Sequence, residues 1–219
     1  MPKSTFNNLQ EERKEEILHT CFEEFALNDY ESASVSRIVR KLGIAKGSFY
    51  RYFASKKELY LFLMDHATAM RMENVKELFE SPVEDFFVLF ENNFTMKINF
   101  DLHYPLVSAF LYNSMQERNH KELGNLLIRS KEMIIELLTP VIKKAQQRGK
   151  LRSDIPTDVI AYSIIQVQLG VYDFLMIKHK TDFRKNIEER RTLFSLSDKE
   201  VINTVKEFSK VLKHGLNKS

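Results

Sequence analysis

An all-α fold is predicted from three observations. Apolar residues recur at three- and four-residue spacing along most of the chain, runs that alternate apolar and polar residues are few, and helix-capping signals punctuate segments of helical length. Only six Gly and five Pro interrupt 219 residues, a usage that suits helices better than a turn-rich sheet protein. The expected architecture is an N-terminal three-helix head containing a helix-turn-helix, followed by a C-terminal helical domain. With 43% hydrophobic and 29% charged residues, the chain has enough apolar side chain for a full core and an ordinary charged surface.

Residues 1–7 are polar and are expected to form a flexible arm. Asn8 and Glu11 have the spacing of a capping box, and Ile17, Leu18, Cys21, Phe22, Phe25 and Ala26 follow as an apolar stripe, so the first helix is placed at 9–27. Its opposite face carries Glu11, Glu12, Glu15, Glu16, Glu23 and Glu24, read as a solvated acidic face paired in part to Arg13 and Lys14. Cys21 lies on the apolar stripe and is most simply a small buried hydrophobe. As the only cysteine, it excludes an intrachain disulfide framework and fits a reducing cytoplasm.

Ser34 is a good N-cap for a short helix at 35–42, with Val35, Ile38, Val39 and Leu42 inward. Gly43 can take the left-handed conformation that a helix needs before a sharp turn. Ile44 anchors that turn, and a second short helix follows at 45–53 with Phe49 and Phe53 on its buried side. The window from Ser34 to Lys57 holds Arg37, Arg40, Lys41, Lys46, Arg51, Lys56 and Lys57 and no Asp or Glu. The whole chain carries only +3, so everything outside this window is net acidic and the basic charge is concentrated where it can meet phosphate. Small residues at 45, 47 and 48 let the second helix approach base edges in a groove about 12 Å wide.

Ser55 caps a fourth helix running to about Phe79, with Glu58 at its N3 position, and Ser81-Pro82-Val83-Glu84 signals the start of another. Between Phe79 and Tyr112 lie nine aromatics, of which Phe86, Phe90 and Phe94 are four apart and share a helical face. Most are read as core, although this density also suits an apolar ligand cavity. Pro105 opens a short helix. A long helix is expected from about Leu123 to Arg148, with Leu126, Leu127, Met133, Ile134, Leu137, Leu138, Val141 and Ile142 inward, Pro140 kinking it and Gly149 ending it. The next spans Pro156 to about Lys178. Residues 180–191 read as a loop or a solvated helical excursion. Ser197 and Glu200 form a capping box before a last helix to Lys213, with Val201, Val205, Phe208, Val211 and Leu212 inward.

Several chemistries find no support in the sequence. The histidines His19, His66, His103, His120, His179 and His214 show no metal-ligand spacing, and no nucleophile elbow, phosphate loop or dinucleotide fingerprint occurs, so no catalytic residue, metal or cofactor is expected. No apolar run is seen to approach 18 residues and the N-terminus lacks a signal-peptide core. Membrane insertion and secretion are therefore not expected, and the cytoplasm is the assigned compartment.

GIAKGSFYRYFASKKEL resembles the DNA-binding signature of the TetR (tetracycline repressor) family, and the order of helix, turn, Tyr-x-Tyr-Phe and Ser-Lys-Lys-Glu-Leu fits over roughly residues 9–63. Val39 departs from the family, where an Ala is common between the two packed helices. The resemblance implies that the helix with Lys46 to Tyr52 enters the major groove while the tyrosines and Lys56 grip the backbone. Candidate DNA-contacting residues are Ser34, Ser36, Arg37, Lys46, Gly47, Ser48, Tyr50, Arg51, Tyr52 and Lys56. It further implies a homodimer built on the last two long helices, a near-palindromic double-stranded operator and a small effector that re-spaces the two heads. The expected division is a DNA-binding head at 1–57, a connecting helix at 58–80 and an effector-binding and dimerisation domain at 81–219.

The aromatic segment and the scarcity of ionisable residues on its faces point to a largely apolar effector. Phe86, Phe90, Asn93, Phe94, Tyr104, Tyr112, Met133, Gln168 and Phe174 are its candidate lining residues. The leading expectation is a ligand-responsive repressor. The alternatives are a helical enzyme or small-molecule carrier with a basic head, and an architectural DNA binder without an effector. Steeply salt-dependent, sequence-specific DNA affinity separates the first from an enzyme or carrier, and ligand screening by thermal shift separates it from an architectural binder.

Overall fold

A computed structural model of the chain describes residues 2–80, 85–117, 120–189, 191 and 195–216, without the side chains of 77–80. The described residues form eleven α-helices: α1 (Ser4–Asn7), α2 (Glu11–Leu27), α3 (Val35–Lys41), α4 (Lys46–Tyr50), α5 (Lys56–Glu80), α6 (Phe86–His103), α7 (Pro105–Ser114), α8 (Leu126–Gln147), α9 (Thr157–His179), α10 (Phe183–Glu188) and α11 (Asp198–Leu216). The start signal at residues 81–84 lies outside the described residues.

Local chemistry accounts for most boundaries. The Ser34 hydroxyl accepts from the Arg37 N–H at 3.4 Å and the Ser55 hydroxyl from the Glu58 N–H at 3.1 Å. Asp85, Asn125 and Asp182 cap α6, α8 and α10 in the same way, and Ser197 and Glu200 cap α11 reciprocally. Gly43 follows α3 at φ +65 and Gly149 follows α8 at φ +68, both in the left-handed region where a side chain is strained. Pro105 occupies the first turn of α7, where its missing N–H costs nothing.

Five expectations are corrected by the packing. The supposed arm at 1–7 contains α1, whose Phe6 is buried with ring centroids 5.0 Å from Phe53 and 5.7 Å from Phe62. The first long helix starts at Glu11 with Gln10 as N-cap and no side-chain cap, so the Asn8 capping box does not form. The charged segment after α9 is no solvated excursion, because Phe183, Asn186 and Ile187 of α10 are buried. Met133 and Val211, expected inward, are exposed. Finally, α9 is long and apolar enough, by length and composition, to span a membrane; Asp173 and two Gln residues hid that run in the sequence. It packs instead between α8 and α11, with Ile160, Ile164, Val171 and Leu175 buried there.

Two hydrophobic clusters organise the molecule. One joins α6, α8, α9 and α11 through Phe86, Phe90, Phe94, Ile142, Ile164 and Val205. The other begins in the head with Ile17, Phe25, Phe49 and Phe53 and continues through Leu59, Tyr60 and Leu63 of α5 to Phe110 and Leu111 of α7. Phe110 is fully buried, with ring centroids 5.4 Å from Phe22, 6.2 Å from Phe25 and 5.1 Å from Tyr60. A body helix thus supplies the floor of the head. Phe110→Ala is expected to cost about 3–5 kcal/mol, the usual range for a buried ring. Hydrogen exchange should show weakened protection in α2 and α7 alike, and a loss confined to α7 would contradict the shared core.

Candidate functional site

The head presents one basic face. α3 and α4 are held at an angle by Ile44, whose N–H donates to the Val39 carbonyl at 3.1 Å, while Phe49 and Phe53 are fully buried beneath. Burying those two rings turns Lys46, Gly47, Tyr50 and Arg51 outward, and all four are exposed. A Cβ built on Gly47 would meet nothing within 4 Å, so no internal contact demands a glycine there. Ser36 and Arg40 are exposed beside it, whereas Ser48 and Tyr52 are half-buried.

Other basic groups of the window are engaged within the protein. Arg37 forms a forked contact with Glu24, its Nε donating at 2.9 Å, and also donates to the Ser32 carbonyl at 2.7 Å. Lys41 pairs with Glu23. The Lys56 ammonium donates to the carbonyls of Tyr30 at 2.7 Å, Ala33 at 3.1 Å and Glu31 at 3.3 Å, above the Tyr30 ring. Lys56 therefore ties the α2–α3 loop to the start of α5, and Ser34 caps α3 while its own N–H donates to Glu24 at 2.8 Å. The acidic face of α2, read from sequence as solvated, supplies Glu23 and Glu24 for these contacts.

A second feature lies in the body. A cavity of about 170 Å³ opens between α5, α6, α7, α8 and α9. Asn93, Phe94, Met133 and Gln168 line it, and the Gln168 side-chain N–H donates to Asn93 at 3.3 Å. The other five candidates lie elsewhere. Phe86 and Phe90 are packed solid in the body core, Tyr104 is exposed against Phe100, Tyr112 donates to Asp173 at 2.8 Å, and Phe174 sits on the surface edge-on to Phe208.

Two ionisable groups, Arg71 of α5 and Lys97 of α6, also line the cavity, and among the described residues no Asp or Glu does. Arg71 pairs with the buried Asp101 at 3.2 Å, and Asp101 also accepts from Ser108 at 2.6 Å and Tyr172 at 2.9 Å. Lys97 stands 3.6 Å from the centroid of the Tyr172 ring. Burial pushes its ammonium down to about 7, with Arg71 adding to the shift and Asp101 and Asp173 opposing it. Sequence reasoning missed Arg71 and Lys97 because they lie on separate segments with no motif between them, and only the packing of α5 on α6 brings both to the cavity. Elsewhere burial raises the Cys21 thiol well above its ordinary range, which leaves it an inert core group. No cluster of His, Cys, Asp or Glu among the described residues has metal-site geometry.

Comparison with known proteins follows the same division. Residues 17–62 match the model of the family described as bacterial regulatory proteins, tetR family. The HTH-type transcriptional regulator YuxN of Bacillus subtilis (strain 168) is 36% identical over 74 residues, 32% of this chain but only a quarter of that protein's length. The HTH-type transcriptional repressor AcnR of Corynebacterium efficiens is 25% identical over 147 residues, 67% of this chain and 73% of its own. A crystal structure of a TetR family transcriptional regulator from Chloroflexus aurantiacus J-10-FL aligns over 100% of both chains, with a TM-score of 0.77 at 24% identity, a likeness of fold. The helix-turn-helix head is thus similar to that of the tetR family of bacterial regulatory proteins, and the chain as a whole shares its fold with a TetR family structure.

Proposed function

We propose that the protein is a homodimeric, effector-responsive DNA-binding regulator that acts as a repressor, with DNA reading at 1–57, a connecting helix at 58–80 and effector and dimer functions at 81–219. The observation that carries this reading is the outward face of α3 and α4, basic and free of acidic side chains, on a head fixed from below by buried aromatics. Lys46 and Ser48 are assigned to base edges. Ser36, Gly47, Tyr50, Arg51 and Tyr52 are assigned to the phosphate backbone. Ser34, Arg37 and Lys56 support the same face by holding α3 and the α2–α3 loop in place.

The dimer is assigned to α9 and α11. Val159, Tyr162, Phe174 and Ile177 recur at helical spacing on α9 with Val211 beside them on α11, and all are exposed in the single chain, Ile177 to 77% and Val211 to 72%. Gly170 lies on the same stripe with open space where a Cβ would be, which admits a closely packed neighbour. Apolar side chains at this density on one face favour a four-helix contact between two copies. A two-fold protein then reads a near-palindromic operator. The effector is assigned to the cavity, whose walls give its occupant a largely apolar body.

The test is selection of bound sequences from random duplex DNA, followed by a salt titration of the winner. Lys46→Ala should lower the magnitude of the salt slope by about one and leave stability within about 0.5 kcal/mol. Lys56→Ala should instead lower the melting temperature of the DNA-free protein by several degrees, since three carbonyls lose their shared donor. Equal melting of the two variants would remove the distinction between reading and supporting residues. For the dimer, Ile177→Glu should yield monomers at micromolar concentration by light scattering, and an unchanged dimer mass would place the interface elsewhere.

A further inference from the structure

The cavity carries an electrostatic imbalance that its apolar walls do not explain. Two cations, Arg71 and Lys97, reach it from α5 and α6, and among the described residues no carboxylate lines it. Asp101, the one buried acid nearby, is already saturated by Arg71, Ser108 and Tyr172. Asp173 attracts Lys97 from α9, but its side chain is exposed and accepts from Tyr112, so water screens it. Among the described residues no acid stands within ion-pair distance of Lys97, whose nearest partner is the face of the Tyr172 ring. A half-buried ammonium that lines a cavity with an aromatic face and no ion-pair partner is costly, and a perturbed cation in a cleft is a candidate ligand site.

We propose that the cavity receives an amphipathic monocarboxylic acid, its carboxylate against Lys97 and Arg71 and its hydrocarbon body against Phe94, Leu137 and Ile165. This deepens the effector site of the regulatory reading and rests on it only for the consequence of binding. A monoanion matches the charge left over after Asp101 is paired with Arg71, whereas a dianionic phosphate would exceed it. One Gln168 amide N–H is donated to the Asn93 oxygen, so the second N–H of Gln168 and the amide N–H groups of Asn93 can reach the second carboxylate oxygen while that bond is kept. The cavity's size sets a limit on chain length, which is why a series is the proper probe.

The charged groups facing Lys97 are Arg71, Asp101 and Asp173, with Tyr172 neutral because burial beside Asp101 raises its phenol far above the working range. In the empty cavity Lys97 loses its proton near 7, and a bound carboxylate raises that value. The stabilised form is the protonated one, so binding takes up a proton above pH 7 and affinity falls as pH rises, by at most about tenfold per pH unit. Arg71 stays charged throughout and supplies the pH-independent part.

Titration calorimetry of the full chain tests this with the straight-chain acids from hexanoate to dodecanoate, each paired with the alcohol and the amine of equal length. The best acid should bind about tenfold or more tightly than its alcohol, and the amine should not bind measurably. Lys97→Met should abolish that preference while melting no lower than the parent, and Lys97→Arg should retain it but lose the pH dependence. Acids no tighter than alcohols, a preference that survives Lys97→Met, or no binding by any chain length would each overturn the assignment. A protein that selects an operator yet shows no carboxylate preference loses only this inference. One that prefers carboxylates but binds no DNA specifically keeps the site and loses the regulatory reading.

Discussion

The arrangement depends most on the insertion of α7 between head and body. Helix α2 ends with carbonyls that have no intrahelical partner, and burial of such groups is tolerated only when donors reach them. The buried Asn113 side-chain N–H groups donate to Phe25 at 3.0 Å and Ala26 at 2.7 Å, and the Asn113 oxygen accepts from Arg184 of α10 at 3.0 Å. One turn earlier on the same helix, Phe110 fills the aromatic nest formed by Phe22, Phe25 and Tyr60. The Tyr30 backbone N–H donates to Glu117 at 2.7 Å and its hydroxyl to Glu122 at 2.6 Å, so the next loop of the head is tied to the body as well. The head is therefore positioned by buried contacts from the body, rather than hanging from the end of α5.

The body meets a different constraint, the placement of charge in an apolar bundle. Asp101 is acceptable in the core because three donors from three helices converge on it, Arg71 of α5, Ser108 of α7 and Tyr172 of α9. Removing any one would leave part of a buried carboxylate without a donor, so the network fixes the relative register of these helices at a cost that an apolar core would not incur. Lys97 sits at the edge of this network without joining it. Its position explains why the same bundle can be both well packed and incompletely neutralised.

How much of this was legible in the sequence depended on whether the signal was local. Caps such as Ser34, Ser55 and Ser197 act within one turn, and Gly43 and Gly149 mark left-handed residues by chemistry alone, so most helix boundaries followed from spacing. The basic window was equally plain as a charge excess, but the sequence could not tell Lys46, which is exposed, from Lys56, which is bound to three carbonyls some two dozen residues away in the chain. The aromatic segment misled in the opposite sense. Phe86 and Phe90 share the face of Phe94, yet they pack solid while of the three only Phe94 reaches the cavity. Arg71 and Lys97 lie 26 positions apart and become neighbours solely through helix crossing.

The two constraints meet on one helix. Leu111 and Met115 of the α7 segment face the cavity, Phe110 faces the head, and Asn113 holds the end of α2, all within six residues. On the regulatory reading, an occupant of the cavity can bias the head only by favouring one placement of α7 over another, since a ligand shifts an equilibrium by no more than its differential affinity for the two states. A charged head group is well suited to this, because the same Asp101 that binds Arg71 also accepts from Ser108 on α7. A carboxylate that draws Arg71 toward the cavity competes with Asp101 for the guanidinium, and the partners left to readjust are Ser108 on α7 and Tyr172 on α9. The rigidity of the Phe110 and Asn113 contacts then requires α2, and with it α3 and α4, to follow α7 as a unit instead of deforming around it.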